Sequence, residues 1–105
     1  MTLSELKEIL ERTGLPVCYN AFPVGDAPAL PFIVYIETGS NNFGADNKVF
    51  YKAKQIAVEL YTATKSASTE ELVESVLDDA DIFYTKQETY LDDEKCYEVI
   101  YTMEV

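Results

Sequence analysis

The sequence predicts an α+β domain: a mostly antiparallel sheet with two helices packed on one face, in the order α-β-β-β-α-β-β. Three observations predict it. Two segments carry apolar side chains at helical spacing, Leu3, Leu6, Ile9 and Leu10 near the start and Leu72, Val73, Val76, Leu77 and Ala80 further on. Five segments alternate or run continuously in β-branched and aromatic residues. The connections between them are rich in Gly, Pro, Asn and Asp. The 105 residues suit one domain spanning 1–105, with one core and no room for a deep substrate cavity beside it.

The first helix is expected from Ser4 to Thr13. Thr2 and Glu5 have the spacing of a capping box, and Gly14 and Pro16 end the helix. Val17 to Phe22 reads as a short strand. Three prolines, Gly25 and Asp26 make residues 23–31 a loop. Phe32-Ile33-Val34-Tyr35-Ile36 reads as a strand covered on both faces, one by a helix and the other by something else. Residues 39–47 form a polar loop with Phe43 near its centre. The run from Lys48 to Thr62 is long for one strand, so a bulge or bend is expected near Lys54-Gln55.

Ser68 and Glu71 suggest a second capping box. In the helix that follows, Glu70, Glu71, Glu74, Asp78 and Asp81 are expected on the solvent side. Asp78, Asp79 and Asp81 near its C-terminal end oppose the helix dipole, by about 0.3–1 kcal/mol each. Residues 82–91 and 96–105 read as a hairpin turning at Asp92-Asp93-Glu94-Lys95. On its second strand Tyr97, Val99, Tyr101, Met103 and Val105 share one face.

The formal net charge is -11, and its distribution is uneven. Residues 1–69 carry seven acids and six bases; residues 70–105 carry twelve acids and two bases. This argues against duplex-DNA binding and against an anionic membrane surface. It suits a basic protein partner, a DNA mimic, or a surface that must not stick to DNA. Cys18 and Cys96 fit no metal motif and are expected as reduced thiols. No signal peptide and no apolar run of membrane-spanning length is expected.

The chain has no histidine, which removes the commonest general base and metal ligand. No P-loop or GxGxxG occurs. The acid groups 78–81 and 92–94 lack the ligand alternation of a calcium loop. The expectation is a binding protein and not an enzyme, with no cofactor. Eight of thirteen aromatic residues are tyrosines, a residue enriched at protein interfaces.

The chain resembles the tail terminator (tail completion) proteins of long-tailed phages and prophages over roughly residues 3–105. The marks are the short opening helix, Leu30-Pro31-Phe32-Ile33-Val34-Tyr35, the loop Asn42-Phe43-Gly44-Ala45-Asp46, and the strand from Gln55 to Thr62. The helix Glu70 to Leu77 and the closing strand Tyr97 to Val105 complete them. The resemblance implies a homo-oligomeric ring, a hexamer, that caps the finished tail tube and meets the head connector. It places the protein in the virion, assembled in the host cytoplasm, with DNA passing through the ring without specific binding. The 39–48 loop would make the axial contact with tail tube protein or head-tail connector protein, with Phe43 as anchor and Asn41, Asn42 and Asp46 as its rim. Glu74, Asp78 and Asp81 would form an acidic lumen or partner face. The alternative is a small acidic intracellular regulator that mimics DNA or inhibits a protein by binding it.

Overall fold

A computed structural model describes the backbone of all residues except Val24 and Asp46, and the side chains of all but these two and Phe43, Ala45, Val49, Phe50 and Tyr51. It has the expected α+β architecture. The helices are α1 (Leu3–Glu11) and α2 (Ala67–Asp79). The strands are β1 (Val17–Tyr19), β2 (Phe32–Ser40), β3 (Phe43–Ala45), β4 (Lys48–Tyr51), β5 (Lys54–Thr62), β6 (Tyr84–Leu91) and β7 (Cys96–Glu104). Five of them form one sheet in the order β1-β2-β5-β7-β6, antiparallel except for the β1–β2 pair. The remaining pair, β3 and β4, forms a small hairpin: β3 falls in the segment expected to be a loop, and β4 is the first part of the expected strand 48–62.

Period-two alternation fixes the core. Register pairs Val58 with Tyr101 and Ile56 with Met103, and on the other side Val58 with Tyr35 and Leu60 with Ile33. All of these lie on one face of the sheet. Leu6, Ile9 and Leu10 of α1 and Val73 and Leu77 of α2 cover that face and complete a single buried cluster. Burying ten or more such side chains, each contributing roughly 1.5–3 kcal/mol, holds both helices on the same side.

The first capping box is present. Thr2 accepts from the Glu5 N–H, and Glu5 reaches back to the Thr2 N–H. The second is not. Ser66 caps α2, its hydroxyl accepting from the Thr69 N–H, so the helix starts before Ser68. The far end of α2 closes in a Schellman motif. The Ile82 N–H donates to the Leu77 carbonyl and the Asp81 N–H to the Asp78 carbonyl, both at 3.0 Å. Asp81 takes the left-handed position at φ 57°, where glycine is usual.

The long run 48–62 breaks at Lys52-Ala53, just before the Lys54-Gln55 position where a bulge or bend is expected. A bulge also lies on β2, opposite Gln55 and Ile56: the register shifts between Glu37 and Gly39, so Thr38 is the extra residue. Across the break the Asn41 N–H donates to the Ala53 carbonyl at 2.9 Å, and the Asn42 Oδ1 accepts from the Ala53 N–H at 3.3 Å. The β3–β4 hairpin therefore continues β2 and β5 end to end. Gly44 sits where a Cβ would come within 2.9 Å of the Lys48 carbonyl, so that crossing requires glycine. The molecule measures 49 × 29 × 22 Å. A nine-residue strand spans about 30 Å, and the hairpin accounts for the added length.

Candidate interaction surface

The sheet face away from the helices carries Phe32, Val34 and Ile36 of β2 and Gln55, Ala57, Glu59 and Tyr61 of β5. Glu98, Ile100 and Thr102 of β7 and Thr85, Gln87 and Thr89 of β6 continue it. One end is covered by the chain itself. Phe22 packs edge-on against Phe32 at 5.1 Å, Phe32 tilts on Tyr61 at 5.3 Å, and Val34 and Cys96 are buried below the 20–31 segment. This is the second cover that the apolar strand 32–36 required. Beyond this cover the face is open across β5, β7 and β6, and Ile36, Ala57 and Ile100 are half-buried.

Two carboxylates and a phenol lie on this open part. The Tyr61 hydroxyl donates to Glu98 Oε2 at 2.8 Å and lies 3.4 Å from Glu59 Oε1. Burial, then the like charge of Glu98, raises the Glu59 pKa above the usual carboxylate range. Burial, then the hydrogen bond to Glu98, raises that of the Tyr61 hydroxyl. Among the described residues no lysine or arginine lies within ion-pair distance of either acid. The β6–β7 turn adds Asp92, Asp93 and Glu94 around a shallow concavity of about 500 Å³ next to Glu98. At the opposite corner of the face Phe83 is 84% exposed, beside Gln55, Thr102 and Glu104.

The sequence-predicted residues separate. Glu74 does not sit on a solvent face of α2. Its Oε2 accepts from the Tyr101 hydroxyl at 2.8 Å and from Lys86 Nζ at 2.9 Å. Glu70, also expected on the solvent side, is buried, with Lys65 at 2.8 Å and Lys86 at 2.7 Å. Burial alone would raise the Glu70 pKa, but the two lysines outweigh it and hold it below the usual range. The cause is rotation: the apolar stripe centres on Val73 and Leu77, which turns Glu70 and Glu74 towards β6 and β7 and leaves Leu72 48% exposed. Asp78 and Asp81 are exposed. Asp81 has a structural role as the helix stop, so only Asp78 and Asp79 oppose the dipole without a structural reason.

Of the proposed contact loop, Asn41 and Asn42 are committed to the fold. Asn42 bridges the strand break, and the Asn41 amide donates to Glu104 Oε1 at 2.9 Å. The Phe43 backbone pairs with Tyr51 in the hairpin. The Phe43 side chain and Asp46 lie outside the described residues.

Sequence reasoning missed the Glu59–Tyr61–Glu98 group and Phe83. Glu59 and Tyr61 are two apart on one strand and so share a face, but only the β5–β7 register, which pairs Tyr61 with Glu98, brings in the third. Phe83 could be suspected from following the helix stop, where the apolar run Ile82-Phe83 must divide its side chains between core and exterior. The cysteines are unpaired thiols, Cys18 half-buried and Cys96 buried. Among the described residues no helix is long and apolar enough to cross a membrane. No family model and no curated protein matches the chain.

Proposed function

We propose that the chain is a structural subunit of a phage or prophage tail, forming a ring that caps the completed tail tube and joins it to the head connector. The carrying observation is that this domain buries one sheet face and, among the described residues, leaves two surfaces without substantial internal partners. One is the open sheet face with Phe83; the other is the β3–β4 hairpin. Two different unpartnered surfaces on one subunit suit head-to-tail association, which closes into a ring. The element order and the segments from Leu30 to Tyr35, Gln55 to Thr62 and Tyr97 to Val105 support the resemblance to tail terminators. The exposed acids at Asp78 and Asp79 suit a channel that DNA traverses without sticking, since like charges repel there. The chain acts by binding in this reading, with no turnover and no cofactor.

The DNA-mimic alternative needs a continuous acidic face on α2. Glu70 and Glu74 are neutralised by Lys65 and Lys86, which interrupts that face.

The test is complementation. Purified protein is added to tails that lack their terminator, from the phage or prophage that encodes the chain, and joined particles are counted by electron microscopy. Rings at tail-tube ends and restored head joining are expected. Tubes that stay uncapped at saturating protein would overturn the proposal.

A further inference from the structure

Acids are scarce around the hairpin. Residues 39–54 hold three lysines and one acid, while the rest of the chain holds five bases and eighteen acids; Lys54 begins β5 and its Nζ donates to the Met1 carbonyl, which leaves Lys48 and Lys52 at the hairpin. Of those five bases, Lys65 and Lys86 are already committed to Glu70, Glu74 and Glu88. Lys48 and Lys52 on the hairpin are exposed. The same segment carries Phe43, Val49, Phe50 and Tyr51. Among the described residues the hairpin has no substantial contact with any element outside its own two strands. A two-stranded hairpin by itself buries little and is marginal in water. It lies beyond the last β2–β5 pair, Ser40 with Lys54.

The open face is its complement. It offers half-buried Ile36, Ala57 and Ile100, and the unneutralised pair Glu59 and Glu98. Burial first, and then the like charge of Glu98, makes an ionised Glu59 on this face costly in the isolated subunit. An incoming cation would relieve that cost.

We propose that copies of this chain associate by laying the hairpin of one subunit on the open sheet face of the next, with Lys48 and Lys52 meeting Glu59, Glu98 and the acids of the 92–94 turn. The occupant is a second copy because the chain itself carries the matching charge, in the exposed Lys48 and Lys52. The contact is heterologous, since donor and acceptor surfaces differ, and so is directional. The inference rests on the ring reading for closure of the assembly, but its contact is tested separately.

The experiment is sedimentation velocity of four proteins up to about 1 mM, the weak end of specific association. They are the wild type, an arm variant (Lys48→Glu with Lys52→Glu), a face variant (Asp92→Lys with Asp93→Lys), and the chain with all four changes. All four positions are exposed, and circular dichroism checks that each variant folds. The wild type should exceed its 11.8 kDa monomer mass as concentration rises. The arm and face variants should each remain monomeric where the wild type has assembled. Mixed together, they should assemble beyond the monomer, because intact arm meets intact face and reversed arm meets reversed face. The fourfold reversal should assemble again. A wild type that is monomeric throughout overturns the inference, as does an arm variant that assembles like the wild type or a mixture that stays monomeric. Arm variants that form rings but fail to join tail tubes assign the hairpin to the axial contact; they overturn this inference and leave the terminator reading standing. Arm-dependent assemblies that cap no tail tube do the reverse.

Discussion

Replacing Glu59 by Gln should stabilise the isolated subunit at neutral pH. Tyr61 reaches Glu98 at 2.8 Å and Glu59 at 3.4 Å, so the two carboxylate oxygens are no more than about 6 Å apart. Two unit charges at that separation repel by about 3 kcal/mol at an effective dielectric of 20 and by about 0.7 kcal/mol in bulk water. The group is half-exposed, which places the expected gain near the lower figure, about 1 kcal/mol. For a domain of this length that is roughly a 4 °C rise in Tm. Glutamine keeps the shape and can still hydrogen-bond Tyr61 and Glu98.

The pH dependence has a definite sign. The folded protein holds the Glu59 proton more tightly than the unfolded chain does. Below the ordinary glutamate pKa, Glu59 is protonated in both states, and wild type and Glu59→Gln should have equal stability. As pH rises through that value towards the raised folded-state value, the unfolded chain releases its proton first and the wild type loses stability relative to the variant. Above the folded-state value the gap is constant. Urea denaturation at low protein concentration from pH 4 to 8 measures it as a difference in midpoint at constant slope. A variant that is less stable than wild type at pH 7.5, or a gap that shrinks as pH rises, would refute the assignment of Glu59 and Glu98 as a repelling pair.

Two other substitutions test the remainder of the charge arrangement. Glu70→Ala removes a buried carboxylate from two lysines that are 47% and 37% exposed and can turn to water. Its cost should therefore be about 2 kcal/mol by urea denaturation, below the 3–5 kcal/mol of a fully buried pair, while Glu70→Leu should stay within about 1 kcal/mol of wild type. Asp81→Gly relieves a left-handed backbone that costs an L residue about 1–2 kcal/mol and removes an acid from a helix C-terminus. After the extra chain entropy of glycine in the unfolded state, a net gain of about 0.5–1 kcal/mol should appear in thermal melts.

The elements themselves are legible in the sequence because each has a local cause. Leu6, Ile9 and Leu10 repeat at helical spacing, Val99, Tyr101 and Met103 alternate, and the 92–95 turn carries polar residues. What is not legible depends on distant partners. The rotation of α2 is set by which of two apolar rows, Leu72–Val76 or Val73–Leu77, meets the sheet, and both rows satisfy the helical period. That choice decides whether Glu70 and Glu74 face water or Lys86, and Lys86 is twelve residues or more beyond them in the chain. The position of the split, at Lys52-Ala53, is similarly hidden. Its cause is the Asn42 side chain replacing a ladder carbonyl from across the hairpin. Ser66 and Ser68 are both plausible caps, and the hydrogen bond to Thr69 decides between them.

Identical subunits with a charge of -11 repel one another, so any self-assembly must place unlike charges in contact at the interface. An even mixture of the eight bases over the surface could not do this, because every patch would remain net acidic. Their actual placement solves the problem. Lys65 and Lys86 neutralise acids inside the fold, and two of the remaining six, Lys48 and Lys52, are exposed at the hairpin. The same placement forbids a symmetric, face-to-face dimer through the open sheet, since that would bring Glu59 and Glu98 of one copy against the same pair of the other. A basic arm on an acidic face is the arrangement of these charges that remains attractive, and it has a direction. Direction is what a ring or a helical stack needs and what a two-fold dimer lacks. Reversing the arm charges alone should therefore abolish assembly without producing dimers, and reversing both surfaces together should restore it.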